Sequence, residues 1–202
     1  MDDVRQTSRP AQAQEAISYL ERAVDLLSRG DPRQAGKEAQ RAKAAAPRSS
    51  AVREVLGLAH YEAGNYREAL RELQAYRRIS GRLDQNHIIA DSYRGLGSPE
   101  KAVPLAEEAM RARIPPEAKA EAAIVAASAL GDLGRYDEAL TLLRRVQSRH
   151  DVGRQQDLRL WYVTGDILAK AGRREDAEVE FRRVVRHDPT AFDAAERLAE
   201  LS

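Results

Sequence analysis

The densest group of chemistry-bearing side chains in the chain is Asp84, His87, Asp91 and Arg94, spaced i, i+3, i+7 and i+10. On a helix that spacing places all four on one face. An imidazole between carboxylates can hold a divalent cation or exchange a proton near neutral pH. No second histidine and no cysteine stands nearby, so the plainer reading is a surface network of His–Asp and Asp–Arg pairs. There is no Gly-rich phosphate loop, no HExxH and no GxSxG, so neither catalysis nor a metal or cofactor is expected. His60 falls at a packing position, and His150 and His187 fall at helix ends, where a cation suits the dipole.

The elements that must carry these residues are helices. Aromatic content is 5% and charged content 32%, with much Ala, Leu, Arg and Glu, a composition that suits long helices and argues against a sandwich or barrel. The formal net charge of +1 demands neither nucleic acid nor an acidic membrane as partner. Cysteine is absent, which removes disulfides, thiolate metal sites and a cysteine nucleophile. The first residues, MDDVRQTSRPAQAQ, are polar and unlike a secretory signal, and the longest apolar run, Ala122 to Ala127, is far too short to span a bilayer. A soluble, cytoplasmic protein with no membrane partner is expected.

A repeat emerges when glycines are paired with the alanine five residues on. Gly30 and Ala35, Gly64 and Ala69, Gly97 and Ala102, Gly134 and Ala139, and Gly172 and Ala177 all keep that offset. The cleanest copy is Leu56 to Ala69, LGLAHYEAGNYREA. A period near 34 residues with a helix on each side of the break marks a helix-turn-helix array. Counting the turn glycine as position 15, position 8 is Ala23, Gly57, Ala90, Ala127 and Gly165, and position 20 is always Ala. Only small side chains let helix backbones approach closely, so both are packing requirements. Position 17 is Tyr66 and Tyr136 but Pro32, Pro99 and Arg174 elsewhere; Trp161 and Tyr19 hold position 4, and Pro47 and Pro189 close repeats.

On these residues the chain, over roughly residues 16 to 201, resembles the tetratricopeptide repeat proteins. The resemblance implies an all-α, right-handed α-α superhelix: a solenoid of five helix-turn-helix repeats with a C-terminal capping helix. The repeats fall at about 16–49, 50–83, 84–116, 120–153 and 158–191, with the cap at 190–201, all in one array over 10–202. Residues 1–9 carry no apolar period and read as a disordered tail. Pro10 opens the first helix, Asp31-Pro32 the second, and Ser49 or Ser50 and Asn65 cap the next two. Pro104 lies inside a helix and should bend it. Pro115-Pro116 opens a helix about one turn longer than its counterparts. Repeat four finishes in the loop Arg149 to Gly153. Thr190-x-x-Asp193 resembles a capping box for the last helix, whose apolar face would be Phe192, Ala195, Leu198 and Ala199.

The resemblance further implies that the first helix of each repeat lines a concave groove, through positions 2, 5, 6, 9, 12 and 13. Those positions hold the acids Glu21, Glu54, Glu62, Asp84, Asp91, Glu121, Asp132 and Asp166 and only the bases Arg94, Arg159 and Lys170. The family's clamp on a C-terminal carboxylate needs Lys, Asn and Arg at positions 2, 5, 6 and 9. Here position 5 is Leu20, Glu54, His87, Ile124 and Tyr162, and position 9 is Val24, Leu58, Asp91, Ser128 and Asp166, so that mode is not expected. The expected function is a non-catalytic interaction scaffold that holds a basic or amphipathic protein or peptide segment. Its groove residues would be Glu54, Leu58, Tyr61, Asp84, His87, Asp91, Arg94, Ile124, Tyr162 and Asp166, with Leu58, Tyr61, Ile124 and Tyr162 as apolar anchors. A groove binder should be a monomer or weak homo-oligomer; homo-oligomeric assembly through the array ends is the alternative. Arg41, Lys43, Arg77, Arg78, Arg111, Arg144, Arg145, Arg182, Arg183 and Arg186 form a basic ridge late in the second helices. RNA binding there is a weaker alternative than dipole compensation and pairing with glutamates.

Overall fold

The structure, a computed structural model, describes residues 1–146 and 155–201. Every regular element among them is an α-helix, and the fold is an all-α helical repeat solenoid. The chain divides into two compact units, Met1–Gly97 and Ser98–Ser202, so the boundary falls in the turn of the third repeat. The expected loop Arg149 to Gly153, with His150, lies outside the described residues.

The first unit contains α1 (Asp2–Thr7), α2 (Pro10–Ser28), α3 (Pro32–Ala45), α4 (Ser50–Glu62), α5 (Tyr66–Ser80) and α6 (Asn86–Gly95). Helices α2 with α3 and α4 with α5 form antiparallel hairpins. The local signals act as expected. The Asp31 carboxylate accepts from the Gln34 N–H, the Ser49 hydroxyl accepts from the Val52 N–H, and Gly81 ends α5 in the left-handed region at φ 69°. Asn65 begins α5 without a side-chain cap bond.

The small residues sit where backbones meet. Ala23, Ala90 and Ala127 are fully buried, and a Cβ at Gly57 would lie 2.6 Å from Leu73 Cγ. All five position-20 alanines, Ala35, Ala69, Ala102, Ala139 and Ala177, are also fully buried.

Residues 2–7 are not a tail. Helix α1 packs on α2 and α4, with Val4 fully buried among Ala13, Ile17, Leu20, Ala46 and Val52. The Asp3 carboxylate accepts from the Ser49 hydroxyl, from the Ser50 hydroxyl at 3.1 Å and from the Ala51 N–H at 3.2 Å. A six-residue helix has no stability of its own, so these contacts with the start of α4 are what order it.

A buried ion cluster ties the hairpins of this unit together. Glu72 on α5 is fully buried and accepts from Lys43 of α3 at 2.9 Å, Arg53 of α4 at 2.6 Å and Arg71 at 3.0 Å. Burial pushes its pKa up, but the three charged donors outweigh that and bring it down to about 2.

The second unit contains α7 (Pro99–Arg111), α8 (Pro116–Asp132), α9 (Tyr136–Val146), α10 (Gln155–Lys170), α11 (Arg174–His187) and α12 (Ala194–Leu201). Helix α7 runs on through Pro104. Helix α8 has 17 residues, more than α4 with 13 and α6 with 10, but close to α10 with 16 and fewer than α2 with 19, so it is not one turn longer than all its counterparts. Ala122 to Ala127 are all buried, because α8 packs against α7, α9 and α10. Trp161 is a core residue at 2% exposure, with Arg183 over its ring.

The last helix departs from expectation. It starts at Ala194, not Thr190, and the Thr190 hydroxyl donates to Asp188 rather than capping. Its first carbonyl acceptor is that of Asp193, bonded by the Arg197 N–H. Phe192 lies in the left-handed region at φ 57° and is exposed, Ala195 and Ala199 are exposed, and Ala194 takes the buried place with Leu198 half-buried.

Candidate binding surface of the first helices

In the first unit the first helices of the repeats are α2, α4 and α6. On α4, Glu54, Leu58 and Tyr61 lie along one side, half-buried. The Tyr61 hydroxyl donates to one oxygen of Asp91 on α6 at 2.6 Å, and Arg94 holds the other oxygen at 2.6 Å. Gln85 donates to Glu54 at 2.8 Å. Burial pushes the Glu54 carboxyl above its ordinary value, against the Gln85 hydrogen bond and with help from the nearby Asp84 charge. Burial also raises Glu62.

The four-residue face of Asp84, His87, Asp91 and Arg94 does not form. Helix α6 starts only at Asn86, so Asp84 lies before it, 8% exposed, accepting from the Tyr76 hydroxyl at 2.8 Å and from Arg82. His87, Asp91 and Arg94 remain together on α6. Among the described residues no group of three or more His, Asp or Glu side chains is arranged to hold a metal ion.

In the second unit the corresponding helices are α8 and α10, followed by α12. Ile124, expected as an exposed anchor, is 2% exposed and therefore a packing residue, because α8 is enclosed on several sides. Tyr162 and Asp166 on α10 are engaged by the C-terminal segment. The Tyr162 hydroxyl donates to Asp193 at 2.5 Å and its ring lies 4.7 Å from that of Phe192, while Arg197 reaches Asp166 at 3.0 Å. Burial and then the Asp193 carboxylate push the Tyr162 phenol up to about 12.

Of the eight expected groove acids, Asp84, Asp91, Glu121 and Asp166 are paired with cations within their own unit. Arg94 pairs with Asp91, Arg159 with Glu121 at 2.9 Å and Lys170 with Asp166 at 2.8 Å, and Arg82 and Arg197 add two cations from outside the groove positions. On α4, Glu54 and Glu62 have no cation within ion-pair reach among the described residues.

One groove residue stands out that the expected site omits. Val24, at position 9 of α2, is 47% exposed, an apolar side chain at the repeat position that Leu58 holds on α4. Its position is readable in the sequence, but a valine there has no charge or hydrogen-bonding group to mark it. At least five of the ten ridge cations are paired with carboxylates: Arg41 with Glu38, Lys43 with Glu72, Arg111 with Glu107, Arg182 with Glu178 and Arg183 with Glu180.

Paired antiparallel helices, turn glycines near φ +75° and buried small residues at fixed offsets define a helix-turn-helix repeat protein. A family model described as "Tetratricopeptide repeat" matches residues 20–82 and 124–194, and the chain belongs to that family. Among curated proteins none matches the sequence. Of solved structures, TTC0263, a thermophilic TPR protein of Thermus thermophilus, is similar with TM-score 0.72 and 18% identity over 92% of this chain and 98% of that one. YrrB, a TPR protein with an unusual peptide-binding site, is similar with TM-score 0.61 and 21% identity over 90% of each chain. PilW, a type IV pilus biogenesis factor, gives TM-score 0.74 and 14% identity over 92% and 90%. At these identities the likeness is one of fold. Proteins of the family generally mediate protein–protein interactions. Among the described residues no helix is long and apolar enough to cross a membrane.

Proposed function

We propose that this protein is a non-catalytic interaction module that holds a basic or amphipathic segment of a protein partner on the first-helix face of its N-terminal unit. The observation that carries this reading is the company of Val24 and Leu58 with Glu54 and Glu62. Half-buried Leu58 lies one helical turn from both Glu54 and Glu62 on α4, and exposed Val24 holds the same repeat position on α2. Neither carboxylate is in an ion pair among the described residues, though the Arg82 charge acts on Glu54. A segment with branched apolar residues and Lys or Arg between them satisfies both. Asp91, Arg94 and His87 on α6 would border it, with Asp91 already shared between Tyr61 and Arg94. The second unit supports binding less, since its Tyr162 and Asp166 are engaged by the segment from Asp193 to Arg197.

The test is a peptide array probed with the full chain and with a Val24→Glu, Leu58→Glu double variant, its helicity checked by circular dichroism. Enrichment of basic amphipathic peptides by the wild type and its loss in the variant is expected. An identical peptide profile for both chains would refute the reading.

A further inference from the structure

Away from the first-helix face, α3 and the end of α4 line an open cleft of about 490 Å³ in the first unit. Its α3 wall carries Arg33, Lys37 and Arg41, and its other wall Ala59, His60 and Ala63. The three cations recur every four residues, so they stand about 6 Å apart along the helix. Arg33 and Lys37 have no ion-pair partner among the described residues, and Arg41 shares Glu38 with Arg22.

The repeat provides its own controls. In the second unit, the cleft between α7 and α9 measures about 340 Å³ and sets Glu107, Asp137 and Glu138 against Arg135 and Arg145. The cleft beside α9 and α11 measures about 280 Å³ and balances Arg144 and Arg173 with Asp176 and Glu180. Of these three clefts, the one at α3 alone is lined by cations with no carboxylate.

A second difference is one of shape. The residue after the invariant alanine is Leu70, Val103, Leu140 and Glu178 in the later repeats but Gly36 in the first. Val103 and Leu140 help fill their clefts, whereas Gly36 leaves its cleft open. Packing does not call for this glycine. Its φ is not in the left-handed region, and an added Cβ would meet only Ala59 Cβ, at 3.9 Å, an ordinary contact. A glycine inside a helix costs about 1 kcal/mol relative to alanine, so its presence here wants another explanation.

We propose that the α3 cleft binds a small organic molecule bearing two or more phosphate groups. The Arg33 guanidinium and the Lys37 ammonium, one helical turn apart and without ion-pair partners among the described residues, can each take a phosphate group, while Arg41, already bonded to Glu38, borders the site. The volume is that of a small-molecule site, and Ala59 and Ala63 give the non-phosphate part an apolar floor. Burial holds the His60 imidazole below its ordinary pKa, so at neutral pH it offers a neutral donor or acceptor rather than a fourth charge.

Pyrophosphate is the probe, titrated into the full chain by calorimetry and by amide chemical shifts. Saturable binding with shifts confined to α3 and residues 59–65 is expected. Lys37→Glu and Arg33→Gln, both on exposed helix surface, should weaken it at least tenfold. Gly36→Leu, which fills the cleft with every charge kept, should do the same, and Arg145→Glu in the α7/α9 cleft should change nothing. Absence of saturation, equal binding by Lys37→Glu, or citrate or a poly-glutamate peptide binding as tightly as pyrophosphate would each overturn the proposal. The Val24→Glu, Leu58→Glu variant should bind pyrophosphate normally, which separates this site from the peptide face.

Discussion

The Tyr61 hydroxyl and the Asp91 carboxylate, 2.6 Å apart, join α4 to α6 across the first-helix face. Asp91 is therefore committed to the fold before any partner arrives, and a basic ligand must share it with Tyr61 and Arg94. Tyr61→Phe keeps the ring beside Tyr66 and removes only the donor, so it should cost about 1 kcal/mol. In a chain of this size that lowers the melting temperature by about 2–4 °C. Peptide affinity should hold in Tyr61→Phe, since the freed oxygen can accept from the ligand, and fall in Asp91→Asn. Melting curves and peptide titrations on the two variants decide the point.

Glu72 makes stability depend on acid. Its folded pKa, about 2, lies below the ordinary carboxylate value of 4.5, so the folded state binds fewer protons and is favoured as pH rises. The contribution, on the order of 3 kcal/mol, is fully present above pH 4.5 and is lost as pH falls from there to about 2. Glu72→Gln should flatten the stability curve in that window. At neutral pH it should also destabilise by roughly 3–5 kcal/mol, because Lys43 and Arg53, each about one-fifth exposed, lose their counter-charge. Urea unfolding between pH 2 and 7 measures both effects.

Helix α1 depends on Asp3. Replacing it by alanine removes the acceptor shared by Ser49, Ser50 and the Ala51 N–H at the start of α4, at a cost of about 1 kcal/mol. Amide exchange in residues 2–7 should rise toward the unprotected rate while α4 remains protected. Unchanged protection of Val4 would mean that its apolar burial alone holds the helix.

The glycine and alanine offsets and the Asp31 and Ser49 caps were legible in the sequence because each is set by the chain within a few residues of itself. Helix α1 was not, since one buried valine in six residues carries no period, and the donors to Asp3 lie 46 to 48 residues on. Ile124 sits at a groove position but on a helix enclosed by three others, a fact of tertiary packing. The spacing that puts Asp84 on the face of α6 fails because the helix begins two residues later, and Asp84 bonds to Tyr76 and Arg82 instead of joining it. The pairing of Tyr162 and Asp166 with the C-terminal segment depends on a turn at Phe192 that the capping-box reading placed inside the helix.

Two glycines in helices should respond oppositely to alanine. At Gly57 the new Cβ would come within 2.6 Å of Leu73 Cγ, and Leu73 is fully buried with nowhere to turn, so the roughly 1–3 kcal/mol of overpacking exceeds the gain in helix propensity. At Gly36 the same methyl finds ordinary contact with Ala59, and the variant should be more stable by about 0.5–1 kcal/mol. Urea midpoints should move down for Gly57→Ala and up for Gly36→Ala. The second result bears on the cleft directly. A gain means that the fold is stronger without this glycine and that an open cleft is the reason left for it. A loss would give Gly36 a structural role, and the case for a ligand would then rest on the charges of Arg33, Lys37 and Arg41 alone.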